Sequence, residues 1–438
     1  MPAPDAGARR RSTTCNGEDY TFRRRTNRLI VCFYPRLAYR AATLAIVFGL
    51  GCFSPAEAQG LPTEPISLGD GRMVVGAEVS GTVASEDPGF FNYTDYEYSS
   101  LRNFRLSVTA QVRASRRLQF LGEVRGDRGD RWQPFAFYAR IRPWPERNFD
   151  IQVGRIPPTF GMFGRGIYGA SNILIGTPLA YQYLTSLRPD ALPAVPEDLV
   201  RMRGRGWLAN YPLGRTDADR GLPLINSFRW DTGVQAHGIN GLVEWTGAVT
   251  TGSLSNPRVG DDNDGLQVAA RTVLRPAPAL ALGLSLSRGA YLSRSLQPVL
   301  VEGMEVEDAV QQAIGVDAEY SEGRFLGRTE LIWSQWAVPI PQVRQQPRLD
   351  AMSLMAEARY RIFPGIHIAG RAERLGFSRI QTSAGPMGWD APVRRFEAGA
   401  SFAIIRNVIV KAAWQRNLRD GGRIQRDDLG ALQAVYWF

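Results

Sequence analysis

Residues 103–113, "NFRLSVTAQVR", sort with a period of two. Phe104, Leu106, Val108, Ala110 and Val112 fall on one face; Asn103, Arg105, Ser107, Thr109, Gln111 and Arg113 fall on the other. A helix would scatter both sets around its circumference, whereas a strand separates them. The pattern returns in "MVVGAEVSGTV", "FAFYARIR", "LALGLSLS", "LMAEARYRIF" and "RFEAGASFAI". Helical periodicity is scarce.

About sixteen such segments of roughly 9–11 residues follow one another, the length that crosses a bilayer when tilted. A soluble sheet of that size would split or collect helices. The connections give an independent test. Numbered from Arg72, the even strands end in short links: "ASRR", "RPWPER", "HGING", "RPAPA", "SEGR", "FPG" and "IRN". The odd strands end in longer ones, including "SEDPGFFNYTDYEYSS", "GDRGDRW", "TTGSLSNPRVGDDND" and the stretches 156–228, 288–311 and 376–392. Strict alternation of short and long links belongs to a transmembrane barrel, with short periplasmic turns and longer outer loops. The fold expected is all-β: a transmembrane antiparallel up-and-down β-barrel of about sixteen strands, with a long inward-folding loop after strand 5.

The chain ends "LGALQAVYWF". Lipid offers no partner to an open strand edge, so the last strand must close on the first. Gly430, Leu432, Ala434, Tyr436 and Phe438 share its outer face. A terminal Phe after alternating apolar residues resembles the C-terminal signature of bacterial outer-membrane barrels. That resemblance makes Tyr436 and Phe438 the expected signal to the barrel-assembly machinery.

The N-terminus reads as a leader. Arg36 and Arg40 precede the apolar "AATLAIVFGLGC" and an Ala56-Glu57-Ala58 cleavage pattern, the parts of a secretory signal. Three segments follow: a leader and signal peptide over 1–58, a short periplasmic segment over 59–71, and the barrel over 72–438. Cleavage removes Cys15, Cys32 and Cys52, all the thiols of the chain, so an exported product uses no disulfides. The leader's nine arginines and four acids hold half of the +10 net charge. The remainder is too mild for nucleic-acid binding. Lys411 is the single lysine. Codon bias alone gives such an arginine excess, so no guanidinium chemistry follows from the total.

An eight-stranded barrel is filled by side chains, whereas about sixteen strands leave an aqueous lumen. The stretch 156–228 is far longer than an ordinary hairpin loop. It carries Phe160, Phe163, Tyr168, Leu179, Tyr181, Tyr183, Leu184, Leu187 and Trp207, too apolar to project into water, so part of it should fold inward. Its constriction residues are expected to include Arg165, Tyr168, Arg188, Asp190, Glu197 and Asp198. By parity the pore lining includes Arg105, Arg113, Glu123, Arg125, Arg140, Arg142, Arg328, Glu357, Arg359, Arg361 and Arg371. The signs of all inward charges nearly balance, which predicts a wide, weakly selective pore. Strands 2 to 4 lean basic through Arg105, Arg113, Arg125, Arg140 and Arg142. Either they form a wall facing Asp190, Glu197 and Asp198, giving a transverse field, or each Arg pairs with a neighbouring carboxylate to line a wet wall.

Residues 149–164, "FDIQVGRIPPTFGMFG", resemble the strand-end "GxxxxPFG" segment of the phosphate-selective porin O/P family. In general bacterial porins of sixteen strands the loop after strand five forms the constriction. The resemblance implies that architecture, a Gram-negative outer membrane with its lipid and lipopolysaccharide, and a homotrimer. It does not carry the phosphate path: Thr159 is inserted in the motif, and the family's lysines have no counterparts beyond Lys411. The function expected is a porin, a passive diffusion channel for small polar solutes or ions with weak anion preference, and no enzyme. The alternatives are an outer-membrane hydrolase and a surface adhesin or receptor with a plugged lumen.

A hydrolase would need a base such as His. His237 and His367 both lie beside short turns, away from the outer end where outer-membrane enzymes work. "GRGIYG" at 164–169 is spaced like a dinucleotide fingerprint, but the preceding strand alternates and Pro178 interrupts the required helix. "GDDNDG" at 260–265 misses the EF-hand spacing, and no Cys/His cluster would hold zinc. No cofactor or metal is expected.

Overall fold

A computed structural model of the protein describes residues 62–94, 99–127, 131–343 and 346–438. The leader 1–58 and the start of the periplasmic segment lie outside the described residues, as does the side chain of Arg165.

Among the described residues, sixteen strands form one closed antiparallel barrel. They are β1 (Met73–Ala84), β2 (Phe104–Arg113), β3 (Leu118–Asp127), β4 (Arg131–Ile141), β5 (Phe149–Ile156), β6 (Asp231–Asn240), β7 (Val243–Thr250) and β8 (Gln267–Ala277). There follow β9 (Leu280–Ala290), β10 (Val310–Glu322), β11 (Phe325–Ala337), β12 (Arg348–Phe363), β13 (Ile366–Phe377), β14 (Val393–Ile405), β15 (Val408–Arg419) and β16 (Arg426–Trp437). Each pairs with its neighbours in sequence, and a short strand at Ile66–Leu68 folds back on the start of β1.

The ring closes between β1 and β16, with Glu78 opposite Trp437 and Ala84 opposite Ala431. Phe438 completes the seam: its N–H donates to the Ala77 carbonyl at 3.0 Å and its carbonyl accepts from the Ala77 N–H at 3.1 Å. No strand edge is left for lipid to solvate, which is the condition a spanning sheet must meet.

Parity decides what faces out. Along β3, Val124 is 44% exposed on the outer face while Glu123 and Arg125 beside it are 4% and 1% exposed inside. Phe120, Phe137, Val249, Leu284, Leu354, Phe396 and Leu432 form the outer, lipid-facing surface with Val124. Trp144, Phe149 and Trp245 lie side by side at the short-turn end, tilted against one another with ring centroids 5.6 and 6.1 Å apart. Aromatic girdles sit at this depth because the ring is amphipathic.

The short links hold as read. Those after β6 and β10 contain two residues each, with Gly241 and Gly323 at φ 58° and 60°. A two-residue hairpin needs a positive φ, which glycine adopts without steric cost. The odd links are longer with two exceptions: residues 420–425 after β15 are fewer than residues 142–148 after β4, and the link after β3 is shorter still. Asp127 pairs with Arg131, so only residues 128–130 join β3 to β4, in place of the seven-residue loop read from "GDRGDRW". Arg131 and Trp132 belong to the strand, and Trp132 points out at 56% exposure. The link after β13 builds its own hairpin, Arg379–Thr382 with Gly385–Gly388.

The hydrophobic core lies inside the barrel mouth. The stretch 157–230 carries the short helices Leu179–Gln182 and Pro196–Met202. Its Phe160, Phe163, Leu179, Tyr181, Leu199 and Leu224 pack with wall residues Phe135, Ile332 and Trp336 and with Trp389 and Tyr291 of other loops. The long-loop half of the interior is therefore packed like a soluble domain.

Candidate functional site

From Gly166 to Leu187 the inward loop contains no Asp, Glu, Lys or Arg. It is threaded through a wall rich in all of them. The wall reaches its backbone instead. Carboxylates accept loop N–H groups: Glu78 from Gly169 (2.7 Å) and Ala170 (3.0 Å), Glu397 from Gly176 (2.9 Å) and Ile175 (3.3 Å), and Glu373 from Leu179 (2.6 Å). Glu330 accepts from the Met162 N–H at 2.8 Å and the Tyr181 hydroxyl at 2.7 Å. Cations donate to loop carbonyls: Arg371 to Gly176 (2.6 Å), Arg395 to Thr177 (3.0 Å) and Arg105 to Ile167 (3.2 Å). The Lys411 ammonium donates to three, Gly169 (2.7 Å), Leu174 (3.2 Å) and Asn172. A buried charge deprived of water needs such partners, and charge-assisted bonds to amides are the strong kind. Wall and loop thus meet without a charged side chain on residues 166–187.

Arg371 is the hub. Its guanidinium lies 2.6 Å from Glu397, 3.1 Å from Glu357 and 3.3 Å from Glu373, all fully buried. Arg125 is equally buried. It sits 3.4 Å over the Phe135 ring, 2.9 Å from Glu123 and 3.2 Å from the Ser107 hydroxyl. The Tyr168 hydroxyl donates to the other Glu123 oxygen at 2.6 Å. Glu123, Arg125, Glu357 and Arg371 therefore point inward as parity requires, but they line protein rather than a water column.

The transverse field between a basic wall and loop acids is not what the geometry gives. Arg105 pairs with Asp127 at 2.8 Å, and Arg140 lies 3.8 Å from Asp150. Asp190 pairs with Arg188 of its own loop at 2.8 Å, and Arg188 also donates to the carbonyls of Ala209 and Asp217. Asp198 accepts the Ala194 and Val195 N–H groups ahead of its helix and pairs with Arg201 at 3.2 Å. Glu197 accepts the Ser383 N–H at 2.7 Å. Each charge is met by a close partner, because a distant one returns less than the desolvation it costs.

The water-exposed part of the barrel interior lies toward the short turns. There Thr109, Arg113 and Arg361 are exposed on the inner face, and Arg142, Arg328 and Arg359 are half-buried beside them. Arg328 pairs with Glu319 at 2.7 Å. His237 is held through Nδ1 by the Thr246 hydroxyl at 3.1 Å. In the long link after β7 two of the "GDDNDG" acids are paired where they stand, Asp262 with Arg258 and Asp264 with Arg294. At the same long-loop end Asp390 accepts the Ser186, Gly204 and Ala391 N–H groups at 2.7, 2.8 and 2.6 Å. Burial pushes its carboxyl above the ordinary range.

Strand parity also turns Glu78, Glu330, Glu373, Glu397 and Lys411 inward, but nothing in that parity singles them out as the loop's anchors. The signal that could have found them is the uncharged run 166–187, bounded by Arg165 and Arg188.

A closed sixteen-strand sheet, greasy outside and charged within, with the loop after the fifth strand folded into it, defines an outer-membrane β-barrel of porin-like fold. Solved structures share it. The loop L8 deletion mutant of OmpT, an outer membrane protein of Vibrio cholerae, aligns over 84% of this chain and 99% of its own at 12% identity, with a TM-score of 0.51. Outer-membrane expressed OmpT of the same organism aligns over 85% and 100% at 10% identity, with a TM-score of 0.50. Salmonella typhi OmpF, in complex with daunomycin, aligns over 84% and 97% at 12% identity, with a TM-score of 0.48. At these identities the likeness to the two OmpT structures is one of fold. No family model and no curated protein matches the chain, so the likeness to the porin O/P family rests on residues 149–164 alone.

Proposed function

We propose that this barrel is a passive diffusion channel for small polar solutes and ions, with a weak preference for anions and no catalytic role. One observation carries the reading. On the inner face of β2 and β12, toward the short turns, Thr109, Arg113 and Arg361 are exposed, and exposed polar side chains inside a closed sheet need a water-filled lumen. The cations Arg113, Arg142, Arg328, Arg359 and Arg361 outnumber the acids Glu244 and Glu319 there, which raises the local anion concentration. The packed loop above this vestibule sets the size limit.

The same reading includes a homotrimer, assembled in outer-membrane lipid and lipopolysaccharide after the barrel-assembly machinery has read Tyr436 and Phe438. Its contact face is the outer wall of β12–β15, where Ala356, Ala358, Gly370, Ala372 and Ala398 leave a shallow groove beside Phe396 and Trp414. Small residues let two flat surfaces approach closely. The test is a planar bilayer. Purified protein should open discrete current steps in potassium chloride. Silence in the bilayer, or turnover of lipid or peptide without current, refutes the proposal.

A further inference from the structure

The lipid-facing surface carries two opposed cations at its long-loop end. Arg374 stands near the end of β13 and Arg394 is the second residue of β14, and the sheet register sets them directly across from each other. Parity turns both outward: Glu373, Leu375, Val393 and Arg395 beside them are buried, while both arginines are exposed. Their outward neighbours are apolar, Leu354 across from Arg374 on β12 and Phe396 two residues along from Arg394. Like charges directly opposite on a sheet, with Cβ atoms about 5 Å apart, repel. Neither guanidinium has an ion pair or a hydrogen bond among the described residues.

The next two strands continue the cluster. Arg394 faces Leu418 of β15, which in turn faces Arg426 of β16. Arg426 therefore lies in the same row, two strands and about 10 Å away. Arg416 lies over the Trp414 ring at 5.0 Å and shares Asp428 with Arg426, at 2.8 and 3.4 Å. Along β13–β16 the outward positions thus carry four arginines and one acid, and the opposed pair is the part that the acid does not reach. Charge on a lipid face is tolerated only near the interface, which places the row at headgroup depth.

We infer that Arg374 and Arg394 together bind a phosphate group of lipopolysaccharide in the outer leaflet. A phosphate between the two guanidinia turns their repulsion into charge-assisted, bidentate contacts. A second phosphate on the same headgroup reaches Arg426 along the row. The acyl chains run down the apolar outer wall. The site deepens the lipid part of the reading above and rests on it for the outer-leaflet orientation. A lipid held there borders the proposed subunit contact, whose groove begins one row below at Ala372 and Phe396.

Native mass spectrometry of the detergent-purified barrel tests it, with diphosphoryl lipid A, its fully dephosphorylated form and inorganic phosphate as probes. The diphosphoryl lipid should bind and the dephosphorylated one should not. Inorganic phosphate should fail to displace the lipid, because it lacks the chains that the wall holds. Arg374→Gln and Arg394→Gln should each weaken binding about tenfold, the equivalent of one charge-assisted hydrogen bond. Arg324→Gln, which removes an exposed cation from the short link after β10, should leave binding unchanged. Without lipid, both outer variants should melt at or above the parent's temperature, since an opposed charge is gone. Equal binding of the dephosphorylated lipid, displacement by inorganic phosphate, equal loss in all three variants, or a lower melting temperature without lipid overturns the inference. Current steps without lipid binding sink this site and spare the channel; lipid binding without current does the reverse.

Discussion

One nitrogen of the Arg371 guanidinium lies 2.6 Å from the Glu397 carboxylate and 2.6 Å from the carbonyl of Gly176. A fully buried ion pair of the wall and the loop's attachment thus share one nitrogen. Removing this cation leaves Glu357, Glu373 and Glu397 packed together without their shared counter-ion. Breaking a buried pair from one side costs about 3–5 kcal/mol. Arg371→Met should lower the melting temperature of the barrel, followed by loss of the compact form on unheated gels. Arg371→Lys should recover little, since a point charge cannot replace a planar fork facing three carboxylates. A melting temperature equal to the parent's in the Met variant would count against the hub.

Lys411 gives a chemical reporter of loop release. It is the only lysine, is 3% exposed, and spends its ammonium on three carbonyls of residues 169–174. In the folded protein an amine-reactive acetylating reagent should modify the N-terminus quickly and Lys411 slowly. In Arg371→Met the Lys411 rate should rise several-fold, about the ratio one or two lost hydrogen bonds give. Mass spectrometry of the peptide carrying residue 411 reads both. Equal rates in the two proteins would show that loop and hub move independently.

Asp390 makes the mouth pH-dependent. Its carboxyl is raised on folding from the ordinary 3.8 by burial, against the pull of its three N–H donors. A group raised on folding holds its proton more tightly in the folded state. Its contribution is therefore fully favourable below the unfolded value and is lost as pH climbs through the folded one. Relative to Asp390→Asn, which cannot titrate, the parent should gain stability as pH falls from neutral to about 4. Melting temperatures of both proteins across that range check it. A difference that stays constant with pH would remove Asp390 as the cause.

These contacts mark where legibility in the sequence ends. The strands of the barrel announce themselves locally, because alternation along 103–113 needs only adjacent residues, and hairpin lengths need only their order. Partners across the lumen do not. Parity says that Arg125 points inward; it cannot say that Phe135 and Tyr168 cover it, since those rings arrive from a bulged strand and a loop. Gly176 and Arg371 are 195 residues apart in sequence. The third link misled for a simpler reason. Gly and Asp favour turns, yet Arg131 is already paired with Asp127, and no local signal separates a three-residue link from a seven-residue one.

Selectivity should follow the exposed arginines and not the buried ones. Arg105 and Arg125 are matched by Asp127 and Glu123, so each pair contributes little net field to the lumen. Removing those cations should cost stability. Arg361 is exposed on the inner face, and Arg359 is half-buried two residues before it on the same strand. Arg359→Gln with Arg361→Gln should move the reversal potential across a salt gradient toward cations and leave the melting temperature close to the parent's. The shift should be largest in dilute salt, because screening shortens the reach of such charges to about 10 Å at 0.1 M. Arg105→Gln with Arg125→Gln should do the opposite, moving stability more than potential. If the buried pair proves to set the potential and the exposed pair does not, ions pass along the loop and not through the arginine vestibule.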